Sequence, residues 1–147
     1  MNEYYLADDL SGALDAAAAF HAAGRRVVVL TSSADWRAPD GETVVGLTPE
    51  TRNAPPAVAA GMVGRVLADG RARGARLVYK KIDSTLRGAV AAEMAAGAEA
   101  LPATRLLFCP ANPAVGRTVR GGVLHVHGVP VSATEFAHDP VSPVRES

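Results

Sequence analysis

Three features of the 147-residue sequence predict an α/β fold, a Rossmann-like parallel sheet flanked by helices, with a C-terminal β-hairpin. Short apolar runs rich in Val, Leu and Tyr alternate with Ala-rich stretches of helical length. The runs are continuously apolar, as strands buried on both faces are. A polar cluster follows each of four predicted strands: ADDLSG, TPETRN, KKIDSTLRG and PANPAVGR.

The first strand is YYLA (4–7), and DDLSGALDAAAAFHAAG (8–24) follows it as a helix favoured by Ala, Leu and Phe, with Gly24 placed as its C-cap. RRVVVLTSS (25–33), with three consecutive valines, reads as a buried strand. ETVVGLTPETRNAPP (42–56) gives a short strand and a polar loop, and Pro55 and Pro56 suit the start of a helix over 57–74. ARLVYKKID (75–83) is a strand, STLRG (84–88) a loop, AVAAEMAAGAEAL (89–101) a helix and TRLLFCPA (104–111) another strand. NPAVGRTVRGG (112–122) is too rich in Gly and Arg to be regular. VLHVHGVPVS (123–132) reads as a hairpin with His127-Gly128 near its turn. The last stretch, SATEFAHDPVSPVRES, has two prolines and no closing apolar run, and reads as a domain exit or linker within something longer.

Composition bounds the function. The length suits one domain with a core of its own, and 48% apolar with 20% charged residues is ordinary for a globular chain. Fifteen basic residues balance fifteen acidic ones, so charge gives no argument for nucleic acid or an anionic membrane, and any anion site must be local. The single Cys109 has no disulfide partner and sits in an apolar run, which predicts a small buried residue in a reducing cytoplasm. No stretch approaches the roughly 18 apolar residues of a membrane span, and the start lacks the basic and apolar parts of a signal peptide. His21, His125, His127 and His138 show no zinc-like clustering, so no metal site is expected. No standard nucleotide-binding loop is present.

In open α/β sheets, ligands collect beyond the carboxyl ends of the strands, so the four polar loops are expected to line one cleft. Asp8 and Asp9 stand where the first strand gives way to the first helix. Capping explains one carboxylate; the other is free to accept hydrogen bonds from a hydroxylated ligand or to take its proton. Gly12 allows close backbone approach. Strand alternation lets at most one of Lys80 and Lys81 face the cleft. Asp83, Ser84 and Thr85 read as a cap for a helix beginning near Leu86. Arg87 in its first turn would oppose the helix dipole, which points to a carboxylate or phosphate partner gripped by two parallel bonds. Asn112, Gly116, Arg117 and Thr118 offer a further Gly-flanked arginine; such a residue is often simply solvated, but its place on the same edge favours a role.

In this order and spacing, ADDLSGALDAA, YKKIDSTLRG, CPANPAVGRT and VHGVPVSATEFAHDPVSPVRES resemble the N-terminal domain of the four-carbon acid sugar kinases, the erythronate, threonate and 3-oxo-tetronate kinase group. KKIDSTLRG is the most specific piece. The resemblance covers almost the whole chain. It implies ATP-dependent phosphorylation of the terminal hydroxyl of a tetronate-type sugar acid, with the substrate held by this domain (1–147). A separate C-terminal nucleotide-binding domain, absent from this chain, would supply most of the site for ATP and Mg²⁺. The matching positions are Asp8, Asp9, Lys81, Asp83, Ser84, Arg87, Gly116 and Arg117. Ser11 stands where the family commonly has Thr, and Ala89 where Asn is frequent.

On that resemblance Arg87, with Arg117 or Lys81, neutralises the substrate carboxylate. Asp8, Asp9 and Asp83 bind the sugar hydroxyls, and Asp9 is the first choice for the catalytic residue that positions or deprotonates the attacking hydroxyl. The expected partners are a sugar acid and the nucleotide-binding domain, with no nucleic acid and no membrane. The isolated chain is expected to lack turnover. The alternative is a stand-alone, non-catalytic sugar-acid-binding module. A small hydrolase using DDLSG as a nucleophile is disfavoured, because its acids lack the spacing of the phosphatases that use one.

Overall fold

The computed structural model describes residues 2–37, 42–102 and 105–146. Four parallel strands, β1 (Glu3–Ala7), β2 (Arg26–Leu30), β3 (Thr43–Leu47) and β4 (Arg76–Lys81), form a sheet in the order β2-β3-β1-β4. Helix α1 (Leu10–Ala22) packs on one face, over Tyr5, Ala7 and Val44. Helices α2 (Pro56–Ala72) and α3 (Val90–Ala100) cover the other, over Tyr4, Leu6, Val45 and Leu47. The two central strands are buried on both faces, which is why YYLA and VVGL read as unbroken apolar runs. Gly46 is required by packing. It lies opposite Tyr5 in register, and a Cβ there would stand 2.3 Å from the tyrosine ring, whose hydroxyl donates to Ala13 O at 2.7 Å.

A second sheet, β5 (Arg117–Arg120), β6 (Val123–Val126) and β7 (Val129–Pro130), is antiparallel. The hairpin turns at His127-Gly128 as expected, both at positive φ. Its first strand is a correction, since Arg117–Arg120 lies in the stretch read as an irregular loop. Thr118 and Arg120 pair opposite His125 and Val123, so the Gly-rich part is confined to the turn at Gly121-Gly122.

Five other expectations fail. β2 is an edge strand and is only partly buried, with Val28 exposed. Residues 105–110 form no strand, and Cys109 is exposed. β4 is therefore the other edge of the sheet, and Tyr79 on it is 45% exposed. Helix α3 starts at Val90 and not near Leu86, because Leu86 (φ 63°) and Gly88 (φ 94°) take left-handed backbone that no helix continues. The stretch read as a linker is folded. Val131 and Val144 are buried with Leu124 and Val126, Phe136 packs against them, and Val144 N donates to Phe136 O at 2.9 Å.

Candidate functional site

Three of the polar loops meet at the carboxyl edge of the sheet. After β1, Asp9 takes extended backbone and caps α1, its Oδ1 accepting from Gly12 N at 2.7 Å. A Cβ on Gly12 would stand 2.8 Å from that oxygen, so glycine lets the carboxylate fold onto the helix start. Asp8 is 3% exposed but not uncompensated. Arg52, from the loop after β3, grips it with Nε at 2.9 Å and Nη2 at 3.0 Å, and its Nη1 donates to Asp9 Oδ2. The backbone repeats the tie, Arg52 N donating to Asp8 O at 3.0 Å. Burial lowers the Arg52 pKa, but its hydrogen bonds to Asp8 and the charges of Asp8, Asp83 and Asp9 more than reverse this.

The loop after β4 is organised by Asp83, 8% exposed. Its Oδ2 accepts from the Thr85 hydroxyl, from Arg87 N at 3.2 Å and from Arg87 Nε at 2.7 Å. Burial pushes this carboxyl up, but the hydrogen bonds from Arg87 and Thr85 and the charges of Arg87 and Arg52 hold it below the ordinary range. Arg87 is therefore not a helix-start cation. It is a loop arginine braced by Asp83, with Asp139 at 3.5 Å from its Nη1. Asp139 is itself held by backbone bonds from Ser142 and Val141, which keep its carboxyl below the usual range, and Ser142 Oγ accepts from Gly88 N at 2.8 Å.

These groups enclose a cavity of about 520 Å³ lined by Asp9, Glu50, Arg52, Asn53, Arg87 and Asp139, with Pro140 and Val141 at its wall. Carboxylates accept hydroxyl protons and guanidinium forks bind carboxylates, so this lining suits a small polyhydroxylated acid. A second cavity, of about 380 Å³, lies at the ends of β2 and β3 between Leu30, Leu47 and Val66, with a single Arg and a single Asp. It gathers less chemistry. Among the described residues no group of three or more His, Cys, Asp or Glu could hold a metal ion, and no helix is long and apolar enough to cross a membrane.

The family model for the sugar-binding N-terminal domain matches residues 4–147. The chain belongs to that family. Among its relatives, the D-threonate kinase of Bordetella bronchiseptica is 41% identical over 147 residues, covering 97% of this chain and 36% of its own length. The D-threonate kinase of Salmonella typhimurium is 36% identical over 148 residues, covering 100% of this chain and 35% of the relative. A solved Bordetella bronchiseptica structure, described as a domain of unknown function with bound citrate and as a domain-swapped dimer, superposes with a TM-score of 0.91. It is 41% identical and covers 100% of this chain and 38% of its own. The chain thus spans about a third of the length of the four-carbon acid sugar kinases it matches.

Within this sugar-binding domain the expected residues divide. Asp8, Asp9, Asp83 and Arg87 are brought together, with Ser84 half-buried in the same loop. Lys81 lies on the α1 side with its stem against Gly12, and its Nζ donates to Ile82 O at 3.0 Å. Lys80 turns to the opposite face and pairs with buried Glu93 at 2.6 Å. Gly116 and Arg117 stand outside the cavity lining, following no strand. Gly116 is left-handed (φ 73°), and a Cβ there would meet the His127 ring at 2.3 Å. Arg117 joins the site through Phe136, whose ring centroid lies 5.8 Å from its guanidinium and 5.3 Å from that of Arg87. Sequence reasoning missed Arg52, Glu50, Asn53, Asp139 and Phe136. The first three stood in TPETRN, already marked as a polar loop on the cleft edge, and Phe136 and Asp139 stood in VHGVPVSATEFAHDPVSPVRES, one of the stretches that carry the resemblance.

Proposed function

We propose that this chain is the substrate-binding part of an ATP-dependent kinase that phosphorylates the terminal hydroxyl of a four-carbon sugar acid. The observation that carries the reading is the cavity in which Arg52 and Arg87 stand among Asp9, Glu50 and Asp139 at the carboxyl edge of the sheet. The names of the kinase relatives supply the reaction class.

In this reading the guanidinium of Arg87, fixed by Asp83, receives the substrate carboxylate, assisted by Arg117 from across Phe136. The carboxylates of Asp9 and its neighbours accept the sugar hydroxyls. Asp8 and Asp83 act mainly by holding Arg52 and Arg87 in place, and Asp9 orients the attacking hydroxyl. Positioning of this kind is most of what phosphoryl transfer asks of a protein. Among the described residues no group of three or more His, Cys, Asp or Glu could hold a metal ion, and the sequence has no standard phosphate loop. We assign ATP and Mg²⁺ to a nucleotide-binding domain in the remainder of a longer protein.

The test is thermal denaturation of the chain against D-threonate, D-erythronate, 3-oxo-tetronate and ATP-Mg²⁺ as separate ligands. A sugar acid at about a hundred times its dissociation constant stabilises by about 2.7 kcal/mol, a shift of several degrees. The expected result is a shift with a sugar acid, none with ATP, and no turnover by the chain alone. A shift with ATP and none with any acid overturns the assignment.

A further inference from the structure

Of the carboxylates around the cavity, Glu50 is the one whose geometry the pairing of opposite charges does not explain. Asp8 and Asp9 are met by Arg52, and Asp83 and Asp139 by Arg87. Among the described residues no ion pair joins Glu50. Its backbone is left-handed (φ 54°), a conformation that side-chain-bearing residues avoid. The residue is exposed, so burial does not offset the strain. The carboxylate is nevertheless fixed. Thr48, 1% exposed, donates its hydroxyl to Glu50 Oε1 at 2.7 Å, and Thr48 N is tied to Leu30 O at 3.1 Å. A strained backbone and a buried hydroxyl thus hold a charged acceptor at the wall of the cavity. Strain kept at a ligand site is a sign of function.

We infer that Glu50 is the specificity residue of the cavity, accepting a hydroxyl of the bound acid and excluding a second carboxylate. This rests on the sugar-acid reading above. A carboxylate accepts and cannot donate. Next to it a ligand hydroxyl gains a charge-assisted hydrogen bond, whereas a ligand carboxylate meets a like charge. The two effects act in opposite directions on D-threonate and on the tartrate of matching stereochemistry, which carries a carboxylate in place of the terminal hydroxymethyl group.

The experiment is calorimetric titration of the chain and of Glu50→Gln with both ligands, with melting of Glu50→Gly beside it. Gln keeps the acceptor oxygen for Thr48 and removes the charge. The expected result is a preference for D-threonate over tartrate that falls at least about fivefold in Glu50→Gln, through weaker threonate and stronger tartrate binding. Glu50→Gly is expected to melt at a higher temperature than the wild type and to bind D-threonate more weakly, a pairing that a purely structural residue would not produce. If the wild type binds D-threonate and the preference is unchanged in Glu50→Gln, the role of Glu50 is wrong while the sugar-acid reading stands. If Glu50→Gly melts lower, the strain argument fails and the inference with it. If the wild type binds no four-carbon acid, both readings fall together.

Discussion

Arg52→Ala is the sharpest perturbation of this molecule, because a single side chain holds two carboxylates adjacent in sequence. Arg52 makes three side-chain bonds to Asp8 and Asp9 across more than forty residues of chain. Removing one partner of a buried pair leaves an uncompensated charge, at a cost of about 3–5 kcal/mol. The Arg52 and Asp9 side chains keep 16% and 19% of their exposure, so water screens part of the loss. That places the expected destabilisation near the low end, about 3 kcal/mol, or about 6–12 °C in Tm for a domain of this size. Urea denaturation followed by circular dichroism at neutral pH measures it. The origin is separated by a cycle with Asp8→Asn, whose double variant should be less destabilised than the sum of the singles by at least about 1 kcal/mol. Arg52→Lys keeps the charge but not the fork, and should recover only part of the stability. A loss below about 1 kcal/mol for Arg52→Ala, or strict additivity in the cycle, would refute the reasoning.

Other predictions concern the loop after β4, the sheet core and Phe136. The Asp83 carboxyl lies below its ordinary value, so the stability it contributes is present above about pH 4 and is lost as pH falls through the lower native value, where the native state takes up the proton. Asp83→Asn should flatten the fall of stability below about pH 4 in acid titrations of urea midpoints, and an unchanged slope would mean other carboxyls carry it. Gly46→Ala should lower stability by about 1–3 kcal/mol, because the Tyr5 ring cannot yield while its hydroxyl is bonded to Ala13. Gly64→Ala, in α2 with nothing within 4 Å of the added carbon, should raise it by up to about 1 kcal/mol, and reversed signs in the two melting curves would count against this account of the packing. Phe136→Leu should weaken D-threonate binding about fivefold by releasing Arg87 and Arg117, whereas Phe136→Tyr should retain it. Equal losses in both variants would point to packing instead of the ring face.

The helices and most of the parallel strands were legible because their signals are local. Val, Leu and Tyr runs mark strands, Ala-rich stretches mark helices, and Gly24 (φ 79°) ends α1 where the sequence placed it. Residues 105–111 carry the same local signal and form no strand, because strand pairing depends on partners that no window of sequence contains. The loop after β4 misled for a related reason. Asp83, Ser84 and Thr85 have the composition of a cap, but Asp83 bonds to Thr85 and Arg87 within the loop, and the helix waits until Val90.

The amino-acid sequence by itself determined the alternation of strand and helix, the collection of three of the four polar loops at one edge of the sheet, and the capping of α1 by one of the two aspartates before it. Each follows from residues within a few positions of one another. Only the tertiary structure decided which charges meet. It joined Arg52 to Asp8 and Asp9, set Arg87 and Arg117 around Phe136, sent Lys80 to Glu93 on the opposite face, and left Glu50 as a cavity carboxylate with no ion pair among the described residues. Side-chain pairing depends on distances between loops far apart along the chain. Those distances are set by strand order and register, which composition and periodicity do not encode.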